Sequence, residues 1–213
     1  MPKIVDHDAR RREIAEAVLR IVAREGIRGA SLRTVAAETG CSTGTINHYC
    51  GDKQALLLTA LREATRRVAE RMASVQNLET GRERIQSLLE AGLPLDEDGA
   101  ANCRIFYHLA TEGFQDSQLA SELANYYAWW RAHVRLAIED DQRTGSFASF
   151  DAETLAEALV GLAEGLGIQG MFDPDRMNPE RLRRDLVVMI DQLAAIPEKH
   201  ARAARTASGN PGQ

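Results

Sequence analysis

A chain of 213 residues with 44% hydrophobic and 27% charged side chains has the make-up of an ordinary globular protein, with one large core or two modest ones. Its net charge of −5 argues against a nucleic-acid partner only until it is divided: residues 1–53 carry nine Lys/Arg against seven Asp/Glu, the remainder seventeen against twenty-four. No apolar run approaches the roughly 18 residues that span a bilayer, and the N-terminus lacks the apolar stretch of a secretory signal, so the expected setting is cytoplasmic, without a membrane partner.

The first helix is expected over 8–25. Ile14, Val18, Ile21 and Val22 form one apolar stripe, Arg10, Arg11, Arg12, Arg20 and Arg24 take the other faces, and Gly26 ends it. The Arg10–Arg12 cluster reads equally well as a phosphate contact or as a solvated helix end. Residues 31–57, SLRTVAAETGCSTGTINHYCGDKQALL, then predict two short helices joined by a tight turn at Gly40-Cys41, with a longer helix starting at Asp52. Ser31 caps the first, because its hydroxyl can accept from an otherwise orphaned backbone N–H, and Leu32, Val35 and Ala36 share its inward face. Ser42 caps the second, over 42–49, in the same way. Ile46 is that helix's single large apolar anchor; Thr43, Gly44, Thr45, Asn47, His48 and Tyr49 make it poor core material. These are hydrogen-bonding groups of the kind that reach base edges and phosphates when a recognition helix lies in the major groove.

The run GCSTGTINHYCGDK from Gly40 through Lys53, preceded by Ser31-Leu32-Arg33-Thr34-Val35-Ala36 and followed by Ala55-Leu56-Leu57, resembles the helix-turn-helix signature of tetracycline-repressor (TetR) family regulators. The Gly-x-Ser-x-Gly-x-apolar spacing, the His-Tyr pair and the Lys that opens the next helix fall in family register. Asn47 stands where the family usually has Tyr, and Cys50 where it usually has Phe. The resemblance implies an all-α fold of about nine helices, with a three-helix DNA-binding domain over 1–53 and a helical ligand-binding and dimerisation domain over 54–196. It also implies a homodimeric repressor on double-stranded DNA, with a palindromic operator and a small-molecule effector of unknown identity. In the recognition helix, Thr43, Thr45 and Asn47 are expected nearest the base edges, and Ser31, His48, Tyr49 and Lys53 on phosphates. Arg33 and Ser42 complete the DNA-binding set.

A long helix over 52–75 turns Leu56, Leu57, Ala60, Leu61, Ala64, Val68 and Met72 inward. A loop at 77–80, a short helix with Ile85, Leu88 and Leu89, and a second loop, GLPLDEDG, follow. Helices over about 100–111 and 116–144 hold most of the aromatics. Tyr126, Trp130 and His133 share a face, as do His108 and Glu112; with Phe106 they are candidate lining for an effector cavity, or equally core residues. Asp151 opens a helix to about 170 with Leu155, Leu159, Leu162 and Leu166 stacked at i+4. Asn178-Pro179 opens a last helix carrying Leu182, Leu186, Met189, Ile190 and Leu193, stopped by Pro197. Two neighbouring apolar helices at the end of a chain predict a four-helix dimer interface formed by Leu155, Leu159, Leu162, Leu166, Leu186, Met189, Ile190 and Leu193. Residues 161–193 also resemble the C-terminal domain of the choline-repressor (BetI-like) branch of the family, which hints at a cationic effector held by aromatic faces. Residues 197–213 are small and polar and are expected to be disordered.

No constellation supports catalysis: there is no Gly-rich phosphate loop, nucleophile elbow or HExxH, and the five histidines are scattered. No cofactor or metal is expected, and a helical enzyme or a ligand-binding protein without DNA is the remote alternative. Cys41, Cys50 and Cys103 show neither CxxC nor metal-ligand spacing, in keeping with a reducing compartment. Cys41 and Cys50 border the recognition helix, so thiol oxidation is the second candidate switch.

Overall fold

Asp6 starts the fold: its carboxylate Oδ1 accepts from the amides of Asp8 and Ala9 at 3.0 and 2.9 Å and opens α1, His7–Glu25. The Ala9 amide holds the Asp6 carboxyl below the usual carboxylate range. The computed structural model describes residues 6–75 and 81–196, without the side chains of 71–75; the loop expected at 77–80 and the tail expected from 197 lie outside the described residues. Among the described residues the chain forms nine helices and no strand. They are α1, α2 (Leu32–Thr39), α3 (Thr43–Cys50), α4 (Lys53–Val75), α5 (Gly81–Glu90), α6 (Glu97–Gly113), α7 (Ser117–Gln142), α8 (Ala152–Phe172) and α9 (Pro179–Ala194).

Most boundaries follow capping chemistry. Asp52 Oδ1 accepts from Ala55 N at 2.8 Å ahead of α4, Asp151 from Thr154 N at 2.9 Å ahead of α8, and Asn178 from Arg181 N at 3.0 Å ahead of α9. One boundary differs from expectation. Asp96 Oδ1 accepts from Gly99 N at 2.7 Å, so the DEDG run expected to be loop is the cap and acidic first turn of α6.

The chain divides into two compact units, one from Met1–Arg71 with Pro94–Tyr126, the other from Met72–Leu93 with Tyr127–Gln213. In the first, α1 packs on α2 and α6, and α2 on α3. Ile14, Val18, Ile21 and Val22 are buried together, as their spacing predicts. Arg20 and Arg24 reach from α1 to Glu38 of α2 at 3.1 and 3.2 Å and hold its carboxyl below the usual range.

In the second unit, α5, α8 and α9 pack on one another. Trp130 is its largest buried side chain, and its indole N–H donates to the Leu88 carbonyl at 2.8 Å. Gly92 makes that possible, because a Cβ there would lie 2.3 Å from the indole. Phe147 is fully buried at a left-handed φ of 52°, and the Gln142 amide ties down its turn by donating to the carbonyls of Phe147 and Phe150.

The residues expected in the dimer stripe differ in burial within the single chain. Leu155, Leu159, Leu186 and Ile190 are 3%, 1%, 0% and 2% exposed, consumed by the unit's own core. Leu166 is nearly buried as well, while Leu162 and Leu193 are intermediate and Met189 is exposed. The apolar side chains that α8 and α9 leave outside are Ile168, Phe172, Val188 and Met189. Among the described residues α8 is the one helix long and apolar enough to cross a membrane, and its Leu155, Leu159, Val160 and Ala163 pack into this core.

Glu63 is a buried acid in the middle of α4 that hydropathy alone does not foretell. Its carboxylate accepts from Arg66 at 2.6 and 2.8 Å and from Arg67 at 3.1 Å, and Arg67 also pairs with Glu16 of α1 at 2.9 Å. The Arg66 bonds, then those of Arg67, outweigh burial and hold the carboxyl below its ordinary value. A depressed acid pKa adds stability that is complete above the unfolded Glu range and lost as pH falls through the folded value. Glu63→Gln is therefore expected to cost about 1–3 kcal/mol at pH 7, with the difference from wild type shrinking towards pH 3 in denaturant titrations at a series of pH values.

Candidate nucleic-acid interface

A reading helix must stay helical while offering most of its side chains to something outside the protein. Eight residues are too few for that unaided. Here the neighbours do the work. α2 opens with a reciprocal cap, Ser31 Oγ accepting from Thr34 N at 3.2 Å and Thr34 Oγ1 accepting from Ser31 N at 2.9 Å. It closes on Gly40, whose φ of 67° turns the chain left-handed while its N–H meets the last carbonyls of the helix. Two residues later the Ser42 hydroxyl accepts from Thr45 N at 3.0 Å, and α3 begins. Ile46 and Cys50 anchor α3 at 0% and 6% exposure.

Everything else on α3 faces outward or nearly so. Thr43, Gly44, Asn47 and His48 are exposed, and Thr45 and Tyr49 are half-buried. Thr45 Oγ1 stands 2.9 Å from Ser42 Oγ, so the Ser42 hydroxyl, like that of Ser31, is first a cap and only then available to a phosphate. Arg33 on α2 and Lys53, the first residue of α4, are exposed cations on either side. The Tyr49 hydroxyl lies 3.0 Å from Nδ1 of His7, and the Arg11 guanidinium sits 5.9 Å from the Tyr49 ring centre. His7 is not in the predicted DNA-binding set, whereas Arg11 belongs to the Arg10–Arg12 cluster read as a phosphate contact or a solvated helix end; the fold brings both to α3.

Comparison with known proteins agrees with this geometry at both ends of the chain. Residues 14–60 match the family described as bacterial regulatory proteins, tetR family, and residues 81–195 match BetI-type transcriptional repressor, C-terminal. The chain belongs to the TetR family. Among curated TetR-family relatives, the transcriptional regulator PksA of Bacillus subtilis is 28% identical over 91% of this chain and 94% of its own, and BetI of Brucella anthropi 29% identical over 84% and 90%. A transcriptional regulator from Saccharomonospora viridis, solved in complex with choline, superposes with a TM-score of 0.77 at 28% identity, over 86% of this chain and 96% of its own. The protein is accordingly a helix-turn-helix, DNA-binding transcriptional regulator of the repressor type, in a family whose members dimerise and commonly respond to ligands. TetR proteins as a class are transcriptional regulators.

The six residues expected to line an effector cavity fall into both units. Phe106, His108, Glu112 and Tyr126 belong to the first, where Phe106 and Tyr126 pack with ring centres 5.2 Å apart; Glu112 points to solvent. Trp130 and His133 belong to the second. Trp130 is a core residue with its one donor used, while the His133 ring lies 4.4 Å from Trp129 with Nδ1 2.8 Å from the Trp129 carbonyl. Sequence reading passed over Tyr127 and Glu164 in that unit. Glu164 is half-buried and burial pushes its carboxyl up; Tyr127, also half-buried, is hydrogen-bonded to it, and its phenol is pushed up by burial and by the acid beside it. Nothing in periodicity marks this pair, because each residue sits within a longer apolar or aromatic run.

The cysteines beside α3 differ sharply. Burial pushes the Cys50 thiol up, against the thiolate that oxidants and alkylating agents attack. Cys41, half-exposed in the turn, stands with its sulfur 3.5 Å from an Arg10 guanidinium nitrogen. Iodoacetamide applied to the folded protein is expected to label Cys41 many-fold faster than Cys50, as read by peptide mass spectrometry, with Cys50 catching up only in denaturant. Equal labelling rates would restore Cys50 as a redox sensor.

Proposed function

We propose that this regulator places α3 of each subunit of a dimer into successive major grooves of a palindromic operator, and that a small organic cation releases it. The observation that carries the reading is α3 itself: two buried anchors and an outward face of Thr43, Asn47 and His48. Thr43, Thr45 and Asn47 read bases, with Asn suited to bidentate pairing with adenine and a Thr methyl to contact with thymine. Arg33, His48, Tyr49 and Lys53 hold phosphates, Ser31 and Ser42 adding their hydroxyls where the caps allow. The second subunit docks on the face that α8 and α9 leave apolar and open: Ile168, Phe172, Val188 and Met189, with nothing beyond the helix's own backbone within 4 Å of where a Cβ would stand on Gly161 or Gly165. Such a protein works in the cytoplasm, where the DNA is, without catalysis, metal or membrane.

The division of labour on α3 has separable signatures. Lys53→Ala is expected to weaken all duplexes alike and to lower the slope of log affinity against log salt by about 1, while Asn47→Ala changes which bases are preferred. Binding selections and salt titrations on both variants check this, and equal loss on every operator variant for both would sink it.

For the effector, the pairing of the Glu164 carboxyl with Tyr127 inside the second unit supports a cationic class, as does a related regulator's complex with choline. A cation brought to a half-buried carboxylate favours its ionised form, and aromatic faces add to the attraction. Choline, as the probe, is expected to weaken operator binding by wild type and not by Glu164→Gln. An acid whose folded pKa is raised costs stability as pH climbs through that range, so the Gln variant should melt no lower than wild type at pH 7 and loss of response is not unfolding. An undiminished choline response in Glu164→Gln would remove Glu164 from the site, and a wild type indifferent to choline would remove this ligand.

A further inference from the structure

We propose that His7, Arg11 and Tyr49 form a single phosphate grip that carries the DNA interface from α3 onto the first turn of α1; this rests on the reading of α3 as the DNA-facing helix. Two elements distant in sequence meet at Tyr49. Its hydroxyl is 3.0 Å from His7 Nδ1, with ring centres 5.7 Å apart, and the Arg11 guanidinium covers the ring at 5.9 Å. His48 closes the group edge-on at 5.3 Å. A phenol, two imidazoles and a guanidinium, all able to donate to a phosphate oxygen, thus surround one point at the rim of the recognition helix.

Packing does not account for the meeting. His7, Arg11 and His48 are exposed, and exposed contacts of this kind return little against the entropy of ordering an arginine. The amides at the start of α1 are not the attraction either, since the Asp6 carboxylate already accepts from Asp8 and Ala9. Arg11 does have an acidic neighbour, Asp8 at 3.4 Å, but that carboxylate is 80% exposed and readily exchanged for a phosphate. His7 and Arg11 lie before residue 14, where the family match begins, and Tyr49 lies within it.

His7 decides what Tyr49 can do. A phenol carries one proton. When His7 Nδ1 is bare, that proton is donated to it and the phenolic oxygen can offer a phosphate nothing. When Nδ1 bears hydrogen, the ring N–H donates to the phenolic oxygen and the Tyr49 O–H is free to donate outward. His7 is therefore a positioning residue, Tyr49 the contact, and Arg11 the charge, its guanidinium held 5.9 Å from the ring centre and able to neutralise one phosphate.

The test uses the full-length protein and an operator duplex recovered by selection, with a scrambled duplex of equal length alongside. Arg11→Ala is expected to lower the salt slope by about 1 on both duplexes. Tyr49→Phe is expected to lose about tenfold in affinity, comparable to one hydrogen bond to a charged group, and His7→Ala, which leaves the phenol proton free but its direction unfixed, a smaller part of that. The double variant should lose no more than Tyr49→Phe alone, and His7→Gln, which keeps an N–H donor, should regain part of the His7→Ala loss. An unchanged slope in Arg11→Ala, or single losses from His7→Ala and Tyr49→Phe that multiply in the double variant, overturns the grip alone. A folded wild type that binds neither duplex overturns the grip together with the reading it rests on.

Discussion

An eight-residue helix with two buried side chains is the constraint around which the first unit is arranged. Such a helix does not form alone, because the entropy of its nucleus is never repaid by so few hydrogen bonds. It exists here because Ser42 satisfies an orphan amide at one end, Gly40 turns the chain sharply enough to deliver it, and Ile46 and Cys50 are buried as α3 packs on α2. Function demands that instability. A recognition helix stabilised by more burial would have fewer side chains left for base edges. The charges of α1 fit the same scheme: Arg20 and Arg24 are spent holding Glu38 of α2, whereas Arg11 and His7 stand at the outer edge beside Tyr49.

The second unit meets a different demand. In it α5, α8 and α9 pack on one another, and Trp130 of α7 is buried beside Gly92, where a Cβ would leave no room for the indole. Into this apolar setting are placed Glu164 and Tyr127, at a cost visible in the raised carboxyl pKa. Groups held away from their ordinary protonation balance concentrate where ligands act, since a ligand of opposite charge recovers what burial took. A repressor needs a site of that kind, because an effector can shift it off DNA only by as much as it prefers one state to the other.

Residues whose role is local were legible from the sequence. Ser31, Ser42, Asp52, Asp151 and Asn178 cap the helices they announce, and the stripe Ile14, Val18, Ile21, Val22 is buried as its spacing requires. Asp96 is the instructive exception among the caps, since the acidic DEDG reads as a turn until its carboxylate is seen accepting from Gly99. Roles that depend on what lies across the core were not legible. The apolar stripe of α8 and α9 has the same pattern whether it meets a second subunit or α5, and here Leu155, Leu159, Leu186 and Ile190 stay inside. The Glu63 network was hidden because an acid at i with arginines at i+3 and i+4 is ordinarily a solvated surface pair. His7 was invisible as a partner of Tyr49 because 42 residues separate them.

Whether α3 reads DNA as one of a symmetric pair decides the function of the protein. The most direct measurement selects bound duplexes from a random pool with the purified, folded protein and sequences what is retained. Enrichment of a two-fold symmetric motif whose half-sites lie on one side of the duplex is the predicted result. Retention without any enriched motif, or a motif with no internal symmetry, would contradict it.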